Sequence, residues 1–499
     1  MKMMNVYDDA TGKVIGSVPS YSGEEMEAMV EKAYIAQPEW ARIPIFQKGK
    51  ILYKWMDLID EHRGELANFM ALELGKRIST AKEETAYSAE IGRENIEVAK
   101  HTYGEVFNNN AEGYEKNLVF TRREPLGVVA AVIPFNYPVE LTIQKAVPAL
   151  MMGNTILVKA STATPLAVRM LVDLAHEAGV PEDAIQFVYG TRDDCTNHLL
   201  TNKKVACLAL TGSTDAGAAM IRNSADTIKN VILELGGNDP MIVREDIADD
   251  PEHMVNAILN LVGGRVVENN GQVCASPKRL LLHRSVKEKF IKGLIAVLDS
   301  LERGHALDNA EITRLVSEAA AIKVEKAIQL TVEQGGTVIY GGKRTGATME
   351  PTIIDNVTKD MDIASDMEVF GPVIPVITFD TDEEALAIAN NSKYGLSSCV
   401  ETNDLSKALW FAQKIQSSAC VINGTSAERH HEQPFGGCKS TGIGHEGACI
   451  SAEEFSTLKT YNINNVIDCA DVIMEDGIGA AEAEYWDAKG EIAFDVIKK

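Results

Sequence analysis

The chain contains no run approaching the ~18 to 20 unbroken apolar residues that span a bilayer, although 45% of its 499 residues are hydrophobic. Its apolar residues are thus spread for burial in cores, and no membrane segment is expected. Between Met1 and Pro19 there is no basic segment followed by an apolar run and a small-residue cleavage site, which makes the cytoplasm the default compartment. The eight cysteines form no C-x-x-C pair and no Cys/His cluster at zinc spacing. That argues against a disulfide framework or a bound metal and leaves most of the thiols reduced and buried. Basic blocks are missing as well. A net charge of -24 with no Lys/Arg cluster to offset it excludes nucleic acid as an expected partner, and any anionic ligand must find a local site. No repeat or low-complexity linker is visible, and the length calls for two or three domains.

What is present is an ordered series of elements. Ser22 and Glu25 make an S-x-x-E capping pattern ahead of apolar residues at helical spacing (Met29, Val30, Ala33, Tyr34), and helices fit Phe46 to His62 and Ala81 to Thr102. From Leu126 the β-rich runs LGVVAAVIP, NTILVKA, AIQFVYG, VACLALTG and NVILEL alternate with segments of helical length, which implies a parallel sheet covered by helices. After Gly237 a second series, DPMIV, KRLLLH, GPVIPVITF and ACVIN, predicts another α/β domain, one helix of which is opened by Ser285 and Glu288. KNLVFTRREP and TLKTYNIN are strand candidates of a small extra sheet. The last stretch, 465–499, is acidic and of unassigned role.

Three places can carry chemistry. Cys274 lies in a small-residue, turn-like segment, GQVCAS, just before the KRLLLH strand, where it reads either as one more buried thiol or as a nucleophile on a loop. Glu234 interrupts the apolar strand VILELGGN. An ionised carboxylate buried there needs a cation beside it, or burial raises its pKa toward that of a general base. Asn136, in IPFNYP at the end of the first strand, has an amide able to donate to an oxyanion, although Asn beside prolines is also ordinary turn chemistry.

Taken together, PFNYP, LELGGN and GQVC, with EVFGP at 368–372 and QPFGG at 433–437, resemble the aldehyde dehydrogenase superfamily, in the family's order from about Asn5 to Asn464. The resemblance implies NAD(P)-dependent oxidation of an aldehyde to a carboxylic acid. Cys274 matches the nucleophile that carries a thioester, Glu234 the base that activates the deacylating water, and Asn136, with the Cys274 backbone N–H, the oxyanion donor. Lys145 and Glu446 match a proton relay feeding that base. Lys159 matches the lysine of the adenosine ribose, with Ser161 and Thr162 beside it, and Glu368 and Phe370 match the pair that positions the nicotinamide half. Ile133, Pro134, Phe135, Leu235 and Gly236 complete the expected cofactor contacts. Gly212 and Ser213 open a helix whose N-terminus suits a pyrophosphate.

The implied architecture is a Rossmann-like cofactor domain (1–114 and 126–236, rejoined by 429–458), a catalytic α/β domain (237–428), and oligomerisation strands at 115–125 and 459–464. A homodimer or homotetramer is the expected assembly, and a small-molecule aldehyde the expected partner. Gly442, Gly444 and Gly447 spell G-x-G-x-x-G, but without a preceding strand and a following βαβ unit they are not a dinucleotide fingerprint.

The chain also departs from the family pattern. Thr162 stands where strongly NAD-selective members carry a glutamate, so NADP is acceptable. Phe135 replaces a frequent tryptophan, and DDPEHM lengthens the interval between Glu234 and Cys274 by a turn expected at the surface. A CoA-acylating relative would use the same cysteine but usually lacks the deacylating glutamate, so Glu234 argues against it. A non-catalytic relative would not need Cys274, Glu234 and Asn136 together. The loop TSAERHHE before QPFGG is either a solvated charged loop or a place where Arg429 or His430 receives a carboxylate, phosphate or sulfonate on the aldehyde.

Overall fold

The structure, a computed structural model, describes residues 2–8, 10–108 and 112–467, so nearly all of the acidic 465–499 segment lies outside the described residues. Two compact units emerge: Met1–Thr102 with Glu124–Thr457, and Tyr103–Arg123 with the chain from Leu458 onward.

The larger unit begins with the hairpin Lys2–Tyr7 and Val14–Ser20, which was not foreseen, and then the helix Gly23–Arg42. Ser22 and Glu25 form the expected reciprocal cap: Glu25 N–H donates to Ser22 Oγ at 3.3 Å and Ser22 N–H to Glu25 Oε2 at 2.9 Å. Helices follow at Ile45–Glu61, Arg63–Leu74 and Ile78–Lys100. The middle one was missed because no side-chain cap marks its start at His62, and only Gly75, at φ +81°, punctuates its end.

Two sheets make the framework. The first runs in the order Gly442–Ile443, Asn230–Glu234, Val205–Thr211, Val128–Val132, Thr155–Lys159, Ile185–Val188, its last five members parallel. The chain starts this sheet in its middle, at Val128–Val132, and later crosses to the other side. Such a reversal opens a crevice at the carboxyl ends of the strands, where α/β proteins bind ligands. Gly442–Ile443 joins antiparallel to Leu233 and Glu234, so the glycine triplet serves as a sheet edge and the dinucleotide-fingerprint reading stays refused.

The second sheet has the order Thr337–Tyr340, Thr352–Val357, Val373–Phe379, Pro277–His283, Asp239–Val243, Cys399–Glu401, Val421–Ile422, parallel except at its first strand. Thr337–Tyr340, Thr352–Val357 and Cys399–Glu401 were not foreseen. The helix Lys287–Asp299 corrects another expectation, since it starts from Val286 without a side-chain cap, and Ser285 Oγ bonds His283 Nδ1 at 2.8 Å instead.

The smaller unit is a three-stranded sheet ordered Ser456–Ile463, Leu118–Pro125, Val106–Phe107, with Phe120 stacked on Tyr461 at 4.9 Å. It begins at Tyr103, earlier than the expected boundary at 114, because Val106 and Phe107 pair antiparallel with Phe120 and Val119. No helix among the described residues is long and apolar enough to cross a membrane.

Arg279, fully buried in the second sheet, holds neighbouring segments by donating to the carbonyls of Asn238 (2.7 Å), Ala364 (3.0 Å), Ile388 (2.9 Å) and Ala389 (2.8 Å). Replacement by methionine keeps the bulk but strands several buried acceptors, each costing about 1–3 kcal/mol. Arg279→Met should therefore lower the unfolding free energy by about 3 kcal/mol or more in urea titration, and a loss under 1 kcal/mol would contradict this account.

Candidate active site

The loop that carries Cys274 is shaped by three successive left-handed residues, Asn269 (φ 51°), Asn270 (φ 52°) and Gly271 (φ 73°). Asparagine tolerates this region better than most residues. At Gly271 a Cβ would also stand 2.5 Å from the Gly371 carbonyl oxygen. Three side chains lock the turn. Asn270 exchanges hydrogen bonds with Thr313 (2.7 and 3.0 Å), and Gln272 Oε1 accepts from Val316 N–H at 2.9 Å. Arg265, fully buried, donates to the carbonyls of Gly271 (3.2 Å), Val369 (2.9 Å) and Val373 (2.9 Å) and to Ser276 Oγ (3.0 Å). Burial brings its guanidinium down to about 9.

Asn136 meets this loop from the first sheet, its Nδ2 donating to the Gln272 carbonyl at 3.0 Å. A primary amide has two N–H groups, so one bond orients the side chain while the other remains for a ligand. The backbone carbonyl of Asn136 accepts from Asn269 Nδ2 and Lys76 Nζ, both at 3.0 Å. Neither Asn269, Lys76 nor Arg265 was singled out from the sequence. The Asn-Asn-Gly run was the one available signal for the turn.

Glu234 closes the strand Asn230–Glu234, 2% exposed, and neither of its carboxylate oxygens has a hydrogen-bond partner. Burial raises its carboxyl well above the ordinary range, and the charge of Glu446 adds to this, against the pull of Lys145 and Arg429. Lys145, from the helix Pro138–Met151, forms a buried ion pair with Glu446 and donates to Thr211 Oγ1 at 2.6 Å. The two residues expected to form a relay are thus joined, next to Glu234.

The cofactor candidates gather at the strand ends of the first sheet. Lys159 ends Thr155–Lys159, and burial lowers its pKa; its ammonium makes no ion pair with a described residue. Ser161 Oγ accepts from Ala163 N–H at 3.2 Å, and Thr162 is exposed. Ser213 caps the helix Thr214–Ser224, and Gly212 N–H donates to the Glu234 carbonyl at 2.9 Å. Glu368 Oε1 accepts from Gly237 N–H at 3.1 Å and lies 3.3 Å from Lys278 Nζ. A Cβ on Gly236 would stand 2.3 Å from Glu368 Oε2, so a side chain there would displace this carboxylate. Phe370 meets Phe135 edge-on at 6.0 Å, Ile133 is buried after the central strand with Pro134 half-buried beside it, and Leu235 packs against Gly217. An unpaired ammonium, an open helix N-terminus and a glycine-lined approach fit a dinucleotide.

Next to Cys274 is a cavity of about 240 Å³ walled by Tyr87, Tyr137, Leu141, Glu268, Arg429 and Phe435, among others. Arg429 stacks over Phe435 (4.1 Å) and donates to Glu140 Oε1 (3.3 Å) and Gln144 Oε1 (3.2 Å). His430, expected beside it as a substrate group, is exposed and off the cavity wall, because the loop turns there to let its backbone N–H bond Gln433 Oε1. The DDPEHM segment is only partly a surface turn: Asp250 caps the helix Pro251–Val262, while His253 reaches buried Glu401 at 2.9 Å. The described cysteines are all unpaired, most of them buried or half-buried, with Cys438 and Cys449 exposed. Cys195 packs in the apolar core near Lys159, away from this wall, which has Cys274 as its one cysteine.

A nucleotide-type sheet beside an α/β half with a thiol at the cavity is the plan of a dehydrogenase that works through cysteine. The chain matches the profile of the Aldehyde dehydrogenase family over residues 1–461. It is 34% identical over 469 residues to a mitochondrial succinate-semialdehyde dehydrogenase of Oryza sativa, covering 93% of this chain and 87% of that protein. With the NADP-dependent succinate-semialdehyde dehydrogenase of Escherichia coli it shares 33% over 460 residues, 91% of this chain and 93% of the relative. The crystal structure of succinate-semialdehyde dehydrogenase from Burkholderia pseudomallei superposes with a TM-score of 0.88 at 30% identity, covering 93% of this chain and 95% of that one. The protein belongs to the aldehyde dehydrogenase family and is an oxidoreductase that uses NAD or NADP to oxidise a small-molecule aldehyde.

Burial pushes the Cys274 thiol up to about 12, with Lys278 pulling the other way; Lys278 Nζ also donates to the Cys274 carbonyl. Lys278 had been read only as part of a strand. A thiol raised this far is held mainly protonated at neutral pH in the free protein. Iodoacetamide alkylation of Cys274, followed by peptide mass mapping, should accelerate about tenfold per pH unit from 7 to 9 without a plateau. A plateau near pH 7 would show a preformed thiolate.

Proposed function

We propose that the aldehyde is oxidised through a thioester on Cys274 and that Glu234 drives its hydrolysis. The observation that carries the proposal is the pairing of a cavity-wall cysteine with a buried carboxylate whose oxygens have no partner. Once deprotonated, Cys274 Sγ adds to the aldehyde carbon, and the oxyanion is received by the free N–H of Asn136 and the Cys274 backbone N–H. The bound nicotinamide supplies the two-electron acceptor. Glu368, braced by Gly237 N–H and Lys278, and Phe370, against Phe135, hold that half of the cofactor, while Lys159 and the Gly212–Ser213 turn hold the other.

Glu234 then takes a proton from the water that attacks the thioester. The C–S bond breaks, releasing the acid and returning the sulfur. Burial favours the protonated form of Glu234, so the proton it holds has to leave before it can act, and Lys145 with Glu446 is the exit beside it. Acyl transfer to CoA is disfavoured by this arrangement. Thr162 leaves the ribose side of Lys159 free of acid, so NADP is accepted. The relatives' names specify a semialdehyde with a carboxylate, and Arg429 is the guanidinium on the cavity wall, so carboxylate-bearing aldehydes fall within the proposed substrate class. Exposed Val106, Leu458 and Ile463 on the small sheet support assembly as a homodimer or homotetramer through its strands.

Glu234→Gln should give a burst of one equivalent of NAD(P)H and then a steady state slowed by about 10²–10⁴-fold, with the acyl adduct on Cys274 visible by intact-protein mass spectrometry. An undiminished steady state without adduct would refute the assignment. In the wild type, deacylation should fail as pH drops through a pKa well above the ordinary carboxylate value of about 4.3. The raised group is protonated below that point, and an acid limb at an unshifted carboxylate pKa would contradict the burial.

A further inference from the structure

The cavity beside Cys274 is walled by carboxylates more than by cations. Glu83, Glu84, Glu140 and Glu268 all face it, against Arg429 alone. Two of the four are compensated. Glu84 is ion-paired with buried Lys76 and accepts the N–H groups of Val139 and Glu140 at the start of the helix Pro138–Met151. Glu140 Oε1 accepts from Arg429 (3.3 Å) and from Gln144 Nε2 (2.8 Å).

The other two have no cation. Glu268 accepts a hydrogen bond from the Tyr137 hydroxyl through Oε1, while its Oε2 accepts none from a described residue, and Glu83 forms no ion pair with a described residue. Arg429, the group that could receive an anion, commits its two terminal nitrogens to Glu140 and Gln144, and its unpartnered Nε is buried. A carboxylate drawing Arg429 away would leave Glu140 buried without its cation and would itself approach Glu268. Like charges brought together in a site of low polarity are costly, and specificity often arises from such repulsion.

We propose that the aldehyde taken by this site carries an ammonium at its far end, received by the free oxygen of Glu268. The proposal rests on the Cys274 chemistry proposed above. An ammonium has donors to offer and no acceptor, the complement of a wall whose free groups are carboxylate oxygens. Tyr87 and Tyr137 give the intervening methylenes an aromatic lining, and Lys76 Nζ lies 3.5 Å from the Tyr137 ring centroid.

The test is kcat/KM at pH 7 for propanal, 3-aminopropanal and succinate semialdehyde, with NAD and with NADP, in the wild type and in Glu268→Gln. The wild type should prefer 3-aminopropanal at least tenfold over each of the other two, and Glu268→Gln should cut the ratio of 3-aminopropanal to propanal about tenfold. The wild-type ranking does not depend on how the variant folds. Turnover of propanal with no advantage for the amine, or a preference for succinate semialdehyde over the amine, would overturn the ammonium proposal and leave the Cys274 chemistry standing. An unmoved ratio in an active Glu268→Gln would do the same. If no aldehyde is turned over with either cofactor, the Cys274 chemistry fails and the ammonium proposal falls with it.

Discussion

Three consecutive left-handed residues ahead of Cys274 would not hold their shape in isolation, and the guanidinium of Arg265 is what makes them persist. Its donors reach Gly271 and Ser276 on either side of the cysteine, and Val369 and Val373 on the segment that leads from Glu368 into the second sheet. The backbone strain of the turn, of order 1–3 kcal/mol per residue in such regions, is tolerated because the surrounding bonds over-determine it. One buried cation thereby sets the position of the thiol and the approach of Glu368 together.

The second organising constraint is charge kept out of water. Glu234, Lys145 and Glu446 lie at the carboxyl ends of the first sheet's strands, where Gly442–Ile443 pairs with Leu233 and Glu234 and brings Glu446 to the ion pair. Had Lys145 faced Glu234 alone, a tight pair would have pinned the carboxylate in its ionised form. Sharing the lysine with Glu446 and Thr211 leaves Glu234 without a hydrogen bond and burial free to raise its pKa. The same physics raises the Cys274 thiol, so burial pushes nucleophile and base alike toward their protonated forms in the free protein. Each then depends on ligand binding or a proton exit to become reactive.

Fold and site converge because the first sheet is entered in its middle. Val128–Val132 delivers Asn136 to the crevice, and Val205–Thr211 delivers Gly212 and Ser213 beside it. The second sheet then presents Glu368, Phe370 and Cys274 to the same region. The hydrogen bond from Asn136 to Gln272 joins the two halves where the chemistry is done, and Gly237 N–H holds Glu368 beside it. Short side chains are required at such crossings: Gly236 admits Glu368, and a Cβ on Gly237 would lie 2.7 Å from the Cys274 carbonyl oxygen.

Local chemistry was open to a reading of the sequence alone. The Ser22/Glu25 cap, the alternation of β-rich runs and helices, and the motifs around 136, 234 and 274 depend on neighbours a few positions apart, so the family was legible and those three candidates could be named. The Ser285/Glu288 pattern shows the limit of that reading, since the same spacing made no cap once His283 offered Ser285 a nearer partner. Beyond that range only the tertiary structure decided. Whether Arg429 is free or bound depends on Glu140, far away in sequence, and the pairing of Val106 with Phe120 moved the start of the small unit. Lys278 became part of the site only by reaching Cys274 and Glu368 at once. Such contacts join segments whose meeting is set by core packing, and a charge takes its meaning from what burial places against it.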